Sequence, residues 1–260
     1  IIEKIKEAAD KMSSESRIGN DFLKSRFKSF YNVAAKKKIS AYSAFYDDET
    51  LMKMIRNRLF ERLPKESSDL SEATIRKALN VNYYMASFFS PKLAHTIFSK
   101  IAQPRDTILD MSAGFGGRLL GWYAFQNEGK YIGCEPNTQT FKELTSLKNE
   151  MNANVEIVNS PFEDFEVKEH IDVCFSCPPY YNTEKYCDED NQSISRYKTE
   201  KEWKERFLYV SIDKMLAASD RVYLVVNQRL FVMMCEKYKC EIVDKIKNHG
   251  SHFSKKENFE

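Results

Sequence analysis

The spacing of hydrophobic positions changes near residue 106 of this 260-residue chain. Before that point, apolar residues recur every three or four positions in IIEKIKEAADKM and in ETLMKMIRNRLFERL, a spacing that predicts helices. ATIRKALN and FFSPKLAHTIFSKIA predict two more, the last with Ser90 as its N-cap and Pro91 at its first position. Residues 1–75 are therefore predicted to form a helical N-terminal region, for which contact with nucleic acid or a partner is one of two open interpretations.

From residue 106 onwards, short apolar runs alternate with amphipathic segments. The predicted strands are TILDMS, KYIGCEP, NVEIVNS, HIDVCFS, RVYLVV and CEIVDKIKN, and the predicted helices are GGRLLGWYAFQN, TQTFKELTSLKNEMN, EKEWKERFLYVSIDKMLAA and LFVMMCEKY. This alternation predicts an α/β fold over residues 76–260, with a Rossmann-like parallel sheet covered by helices on both faces. Because such sheets bind ligands at the carboxyl ends of their strands, residues directly after strands are the functional candidates.

Composition narrows the class of protein. With 42% hydrophobic and 30% charged residues the chain is globular, and it has no run of about 20 apolar residues that could span a membrane. Six cysteines without a regular framework predict reduced thiols in an intracellular protein, either cytoplasmic or nucleoid-associated. Cys174 and Cys177 form a CxxC, but no second pair stands at zinc spacing, so no metal site is predicted.

Charge is distributed unevenly although the net charge is only +2. The basic runs KSRFKSF and AAKKKIS in the N-terminal region interleave with aromatic residues. This pattern fits a surface that contacts phosphates, and it fits a solvated helical face equally well.

A glycine-rich turn follows the first predicted strand, in DMSAGFGGRLLG. Four of the eight glycines lie within residues 114–121, between a strand and a helix, where free backbone N–H groups can bind a ligand. Glu135 ends the next strand about 20 residues later, where a carboxylate can accept both hydroxyls of a ribose. The spacing matches neither the GxGxxG dinucleotide motif nor a phosphate-binding P-loop.

The glycine turn and Glu135 together resemble the S-adenosylmethionine site of class I methyltransferases. FFSP at 88–91 resembles the segment that touches the carboxylate end of the cofactor in this family, and NSPFE at 159–163 occupies the place of its adenine contact. The resemblance implies S-adenosyl-L-methionine as cofactor. The cofactor-binding residues that it implies are Phe89, Ser90, Asp110, Ser112, Ala113, Gly114, Gly116, Glu135, Ser160 and Phe162.

A second motif, FSCPPYYN, ends the fourth predicted strand with two prolines that cannot donate ladder hydrogen bonds. It resembles the (Asp/Asn/Ser)-Pro-Pro-(Tyr/Phe/Trp) motif of amino-methyltransferases that act on adenine-N6 or cytosine-N4. The resemblance implies that a side-chain acceptor and a proline-fixed carbonyl orient an exocyclic amine, while an aromatic ring faces a flipped base. The catalytic residues that it implies are Cys177, Pro178, Pro179 and Tyr180, and the substrate-binding residues are Tyr180, Tyr181 and Asn182.

One position departs from the family pattern. Cys177 stands where the family has Asp, Asn or Ser, and a thiol is a weak hydrogen-bond acceptor. The backbone carbonyl of Pro178, or Ser176 after a local shift, is therefore an alternative acceptor for the amine. A nucleophilic Cys177, as in cytosine-C5 methyltransferases, is another alternative, although their cysteine follows a proline. The interpretation without function is a rigid surface turn with packed tyrosines.

The chain is therefore expected to methylate an exocyclic base amine in DNA, as modification or phage-type enzymes do. RNA is the nearest alternative substrate, and a degenerate methyltransferase-fold subunit that binds nucleic acid or a protein partner is an alternative of another class. A homodimer is left open. The polar segment NTEKYCDEDNQSISRYKTEKEW is either a clamp over the flipped nucleotide or a mobile connection, and the tail resembles the family's last hairpin without its final strand.

Overall fold

The structure is a computed structural model. It describes residues 3–5, 19–35, 38–62, 83–84, 86–125 and 128–246. The strands, in chain order, are β1 Ala34–Ala35, β2 Thr107–Asp110, β3 Lys130–Cys134, β4 Asn154–Val158, β5 Ile171–Ser176, β6 Glu184–Lys185 and β7 Ser219–Leu224.

The helices, in the same order, are α1 Asn20–Arg26, α2 Ala41–Tyr46, α3 Asp48–Arg62, α4 Pro91–Ile101, α5 Gly117–Phe125, α6 Thr138–Asn149, α7 Ser193–Arg196, α8 Glu200–Trp203, α9 Tyr209–Ala218 and α10 Gln228–Cys235. A 3₁₀ turn, Lys28–Asn32, follows α1, and a π-helical turn, Lys204–Leu208, joins α8 to α9. None of the helices among the described residues is long and apolar enough to cross a bilayer.

Five parallel strands form the central sheet in the order β4-β3-β2-β5-β7. The first strand of this sheet is β2. From there the chain forms β3 and β4 on one side of β2 and then crosses to form β5 and β7 on the other side. The topological switch point therefore lies between β2 and β5, where Ile108 pairs with Val173 and Leu109 with Cys174. The predicted α/β fold with a Rossmann-like parallel sheet is confirmed.

Both faces of the sheet are covered, and successive residues of β2 and β5 pack into two different hydrophobic clusters, one on each face. Ile108 and Val173 belong to a cluster with α4 and α5, whereas Leu109 and Cys174 belong to one with α9. This burial explains why β5 reads as a nearly continuous apolar run rather than an alternating one. The N-terminal region joins the first cluster through Leu23 of α1, Phe30 of the 3₁₀ turn and Phe27 between these two elements.

Most predicted elements from residue 86 onwards are confirmed, and α4 begins as expected, with the Ser90 side chain accepting a hydrogen bond from Leu93 N at 3.4 Å. The predicted last strand, CEIVDKIKN, is wrong, because residues 240–246 form no strand and β7 pairs with β5 alone among the described strands. Ile242 and Val243 are exposed there, and none of the described strands pairs with this segment. The predicted helix ATIRKALN and the boundary at residue 75 fall outside the described residues, as does most of the first predicted helix.

Candidate active site

The two motifs meet at the switch point of the sheet. The Ser112 hydroxyl, in the turn after β2, lies 2.9 Å from Ser176 Oγ and 2.9 Å from the carbonyl oxygen of Cys177, at the end of β5. Because β2 and β5 are parallel neighbours, their carboxyl ends lie side by side. The glycine turn and the Pro-Pro turn therefore form one continuous edge.

Asp110 lies beneath this edge and is fully buried. Its carboxylate accepts hydrogen bonds from Arg118 Nε at 2.7 Å, from the Tyr131 hydroxyl at 2.6 Å and from the Ser176 hydroxyl at 2.6 Å. It also accepts one from the backbone N–H of Ser112 at 3.1 Å. These contacts support the turn from inside, and the cofactor contact that the family resemblance implies for Asp110 stays a prediction.

The crest of the glycine turn has the backbone form that glycine favours. Gly114 has a φ of +55°, and a Cβ built on it would approach only the Ser112 carbonyl oxygen, at 3.7 Å. Gly117 is constrained differently, because a Cβ there would lie 1.9 Å from the carbonyl oxygen of Phe89. The turn thus leaves open space at its crest while packing closely against the FFSP segment below.

Glu135 lies beside the crest at the end of β3, and the side chain is nearly buried. Its carboxylate accepts hydrogen bonds from Gly114 N at 3.0 Å and Asn137 N at 2.9 Å. Burial raises the pKa of Glu135 from 4.5 to about 7, although these two backbone N–H groups lower it in part. A carboxylate with acceptor capacity left over therefore stands next to the open crest.

Three other predicted cofactor residues, Phe89, Ser160 and Phe162, make contacts within the protein. Phe89 is half-buried and packs edge-on against Phe175, with ring centroids 5.8 Å apart. Ser160 donates to the carbonyl oxygen of Pro161 at 2.9 Å, and Phe162 is 1% exposed within the hydrophobic core. Phe162 packs within the core in this structure, and the cofactor contacts predicted for Phe89, Ser160 and Phe162 stay predictions.

The Pro-Pro turn holds a neutral cysteine beside a tyrosine. Cys177 and Tyr180 lie three residues apart in this turn, and both are half-buried. Burial raises the pKa of the Cys177 thiol, and the nearby Arg118 cation offsets this in part. The thiol is therefore protonated at neutral pH, which argues against Cys177 as a nucleophile.

Sequence reasoning missed a carboxylate at the same edge. Glu184 lies in β6, four residues after Tyr180, and it accepts hydrogen bonds from the hydroxyls of Tyr84 and Tyr186. Antiparallel pairing of β6 with β1 places Glu184 opposite Ala35. The sequence alone does not indicate this group, because Tyr84 and the paired strand β1 come from segments distant in the chain, and only Tyr186 is a near neighbour.

The segment after the Pro-Pro turn, residues 181–199, folds back over the glycine side of the edge. Glu189 accepts hydrogen bonds from the backbone N–H of Thr138, at 3.1 Å, and from the Thr138 hydroxyl, at 3.0 Å. The Tyr181 side chain contacts a later part of the same segment and α8. Its hydroxyl donates to the carbonyl oxygen of Lys198 at 3.0 Å, and its ring packs near Trp203. Asn182 adopts a left-handed backbone conformation, with a φ of 54°.

The amino ends of β5 and β7 carry a different group of polar residues. His170, Asp172 and Asp220 bring three ligand atoms within 4.8 Å of one another. An open depression of about 530 Å³ lies beside them, lined by residues 165–170 with Lys214, Ala217 and Ala218. Both features are at the end of the sheet opposite the two motifs.

The chain is thus an α/β protein with a Rossmann-like sheet, and its candidate ligand-binding edge lies at the β2/β5 switch point. No protein-family profile matches the chain, and no curated protein sequence matches it.

Similar solved structures include a SAM-dependent O-methyltransferase from Thermotoga maritima, with 16% identity and a TM-score of 0.42 over 58% of this chain and 50% of that chain. The tRNA m1G37 methyltransferase of M. jannaschii has 16% identity and a TM-score of 0.37 over 60% and 44%. A plantazolicin methyltransferase in complex with SAH has 13% identity and a TM-score of 0.38 over 86% and 68%. The chain thus spans about half the length of the first two, and likeness of this degree assigns no activity or substrate.

Proposed function

We propose that this chain transfers a methyl group from S-adenosylmethionine to an exocyclic amine of a base in nucleic acid, at adenine-N6 or cytosine-N4. The observation that carries the proposal is the joining of the glycine turn to the Pro-Pro turn through Ser112, 2.9 Å from both Ser176 Oγ and the Cys177 carbonyl oxygen. A methyl donor held at the first turn and an amine held at the second are adjacent, as in-line transfer requires.

The residues of the glycine side fit this cofactor. When bound, S-adenosylmethionine supplies an electrophilic methyl group on a positively charged sulfur. The Gly114 crest has room for a ligand, since a Cβ there would meet one backbone atom at 3.7 Å. Glu135 stands beside it with acceptor capacity for ribose hydroxyls, and Asp110 holds the turn from below through the backbone N–H of Ser112.

The residues of the Pro-Pro side fit a base amine. Locked φ angles at Pro178 and Pro179 fix the direction of the backbone carbonyls, which can accept N–H bonds from the amine. The half-buried Tyr180 offers a ring face to a base that has left its stack. This contact involves the base and not the sugar, which is the part that distinguishes RNA from DNA. We therefore propose DNA and RNA equally as substrates.

Two measurements test the proposal. Calorimetric titration with S-adenosylmethionine is expected to show binding to one site. Labelled methyl transfer is then measured with duplex DNA, single-stranded DNA and RNA, and digestion of the product to nucleosides followed by mass spectrometry identifies the methylated base. Cofactor binding without transfer to any of the three contradicts the enzymatic proposal.

The second candidate is a degenerate methyltransferase-fold subunit that binds nucleic acid or a partner. The observation that favours it is the neutral thiol of Cys177 at the position where the resembling family has a strong acceptor. This candidate predicts neither cofactor binding nor methyl transfer, and it predicts that Tyr180→Ala leaves the activity of a complex unchanged.

A further inference from the structure

Glu184 carries an oriented carboxylate beside the Pro-Pro turn. The Tyr84 hydroxyl donates to Oε1 and the Tyr186 hydroxyl donates to Oε2, so both oxygens are held by side chains from different segments. Each carboxylate oxygen has two acceptor sites, and each therefore retains capacity for a further donor. The residue is half-buried rather than sealed in the core.

Backbone pairing fixes the same residue from another direction. β1 and β6 pair antiparallel, with Ala35 opposite Glu184 and Ala34 opposite Lys185. The donor Tyr84 is held in turn, because its backbone N–H donates to the carbonyl oxygen of Ile39 at 3.0 Å. The carboxylate is thus positioned before any ligand arrives, which is the condition for efficient orientation of a reacting group.

The carboxylate acts on the two residues of the turn that the motif assigns to the amine. After burial, which is the main cause, the negative charge of Glu184 contributes to the raised pKa of the Cys177 thiol and of the Tyr180 hydroxyl. The backbone also places Glu184 near the turn, because the N–H of Thr183, the residue directly before it, donates to the carbonyl oxygen of Tyr180 at 3.3 Å.

We propose that Glu184 accepts an N–H of the target amine in place of Cys177 and then takes the proton that the amine loses, a role that rests on the proposed methyl transfer. A carboxylate accepts hydrogen bonds far more strongly than a thiol. The nitrogen lone pair forms the N–CH₃ bond while the sulfonium S–CH₃ bond breaks and leaves its electron pair on sulfur. The surplus proton on nitrogen passes to the Glu184 carboxylate and from there to water.

The test is a pair of substitutions in the full chain. Glu184→Gln keeps the size of the side chain and a contact to the tyrosines but removes the proton acceptor, and it is expected to lower kcat about 100-fold. The KM for nucleic acid and the Kd for S-adenosylmethionine are expected to stay unchanged. In Glu184→Ala, added formate is expected to restore part of kcat, because a free carboxylate can occupy the vacated space.

Asp188→Asn is the matched control, since Asp188 lies in the same segment, pairs with Lys185 and has a side chain 94% exposed. It is expected to leave kcat unchanged. An unchanged kcat in Glu184→Gln overturns the role of Glu184, and so does a raised KM without rescue by formate, which indicates a structural role. Wild-type protein that methylates no nucleic acid overturns the proposed function together with this role, whereas active wild type with an unaffected Glu184→Gln overturns the role alone.

Discussion

The two sides of the candidate site are built in different ways. Beneath the glycine turn, the buried Asp110 of β2 is linked to α5, β3 and β5. Its carboxylate accepts hydrogen bonds from Arg118, Tyr131 and Ser176. Residues 181–199 follow the Pro-Pro turn in the chain, and partly exposed contacts hold them to β1 and to the first residue of α6. The side proposed for the cofactor is therefore fixed beneath its turn by a buried network, whereas the side proposed for the substrate depends on partly exposed contacts between distant segments.

Breaking the buried network should have the largest effect. Arg118→Met removes the cation that pairs with Asp110 and leaves a buried carboxylate uncompensated, so the free energy of unfolding is expected to fall by about 3–5 kcal/mol. Urea denaturation measures the loss, and calorimetry should show that S-adenosylmethionine no longer binds.

The control for Arg118→Met is Arg229→Met, which breaks the exposed ion pair of Arg229 with Glu200. Its cost should be at most about 1 kcal/mol, because exposed pairs are well solvated in both states. Similar losses in the two variants would show that the network under the glycine turn is not what fixes the cofactor side.

The next effect concerns the pH dependence of stability. Because the pKa of Glu135 is raised from 4.5 to about 7, its contribution to stability is fully present below pH 4.5 and is lost as pH rises through 7. The loss amounts to about 3 kcal/mol. Glu135→Gln should remove this slope, so the difference in unfolding free energy between variant and wild type should change between pH 5 and pH 8. A constant difference would contradict the raised pKa.

The same carboxylate should make cofactor affinity depend on pH. Above pH 7 Glu135 is ionised and can accept both ribose hydroxyls, so the Kd for S-adenosylmethionine should tighten from pH 6 to pH 8. Calorimetry at both pH values, with Glu135→Gln as the variant that lacks the trend, checks this expectation.

Separating the two turns should have a smaller effect on stability. Ser112→Ala removes the hydroxyl that lies against both Ser176 and the Cys177 carbonyl oxygen, so the free energy of unfolding should fall by about 1–2 kcal/mol. The expected result for activity is a lower kcat with an unchanged Kd for S-adenosylmethionine. Ser99→Ala, which removes an exposed hydroxyl bonded to the His95 carbonyl oxygen, is the control. If Ser112→Ala lowers the free energy of unfolding more than Ser99→Ala does but leaves kcat unchanged, the two turns act independently in catalysis.

The sequence reveals the two turns because their signals are local. A strand, a cluster of glycines and a helix follow one another directly, and the two prolines end β5 within the motif itself. The inner position of Asp110 is not local, since its partners Tyr131 and Ser176 come from other strands. Sequence spacing alone cannot tell a carboxylate that faces a ligand from one that supports a turn.

The missed Glu184 and the wrongly predicted last strand have the same physical origin. Glu184 and Tyr84 are 100 positions apart, and the pairing of β1 with β6 brings their segments together without a periodic pattern. The segment CEIVDKIKN has the composition of a strand, but composition does not show whether a neighbouring strand is present to accept its hydrogen bonds. The fold core was predictable from periodicity, while contacts between distant segments were not.

The smallest expected effect on the free energy of unfolding comes from a substitution in residues 181–199, after the Pro-Pro turn. Glu189→Gln weakens the contact that ties residues 181–199 to the amino end of α6, where a carboxylate interacts favourably with the helix dipole. The unfolding free energy should fall by about 0.3–1 kcal/mol, while limited proteolysis within residues 181–199 becomes faster. Asp190→Asn, an exposed neighbour, should change neither quantity. If Glu189→Gln destabilises the protein as much as Arg118→Met, then both sides of the site are fixed by the fold, and the contrast between a preformed cofactor side and an assembled substrate side is wrong.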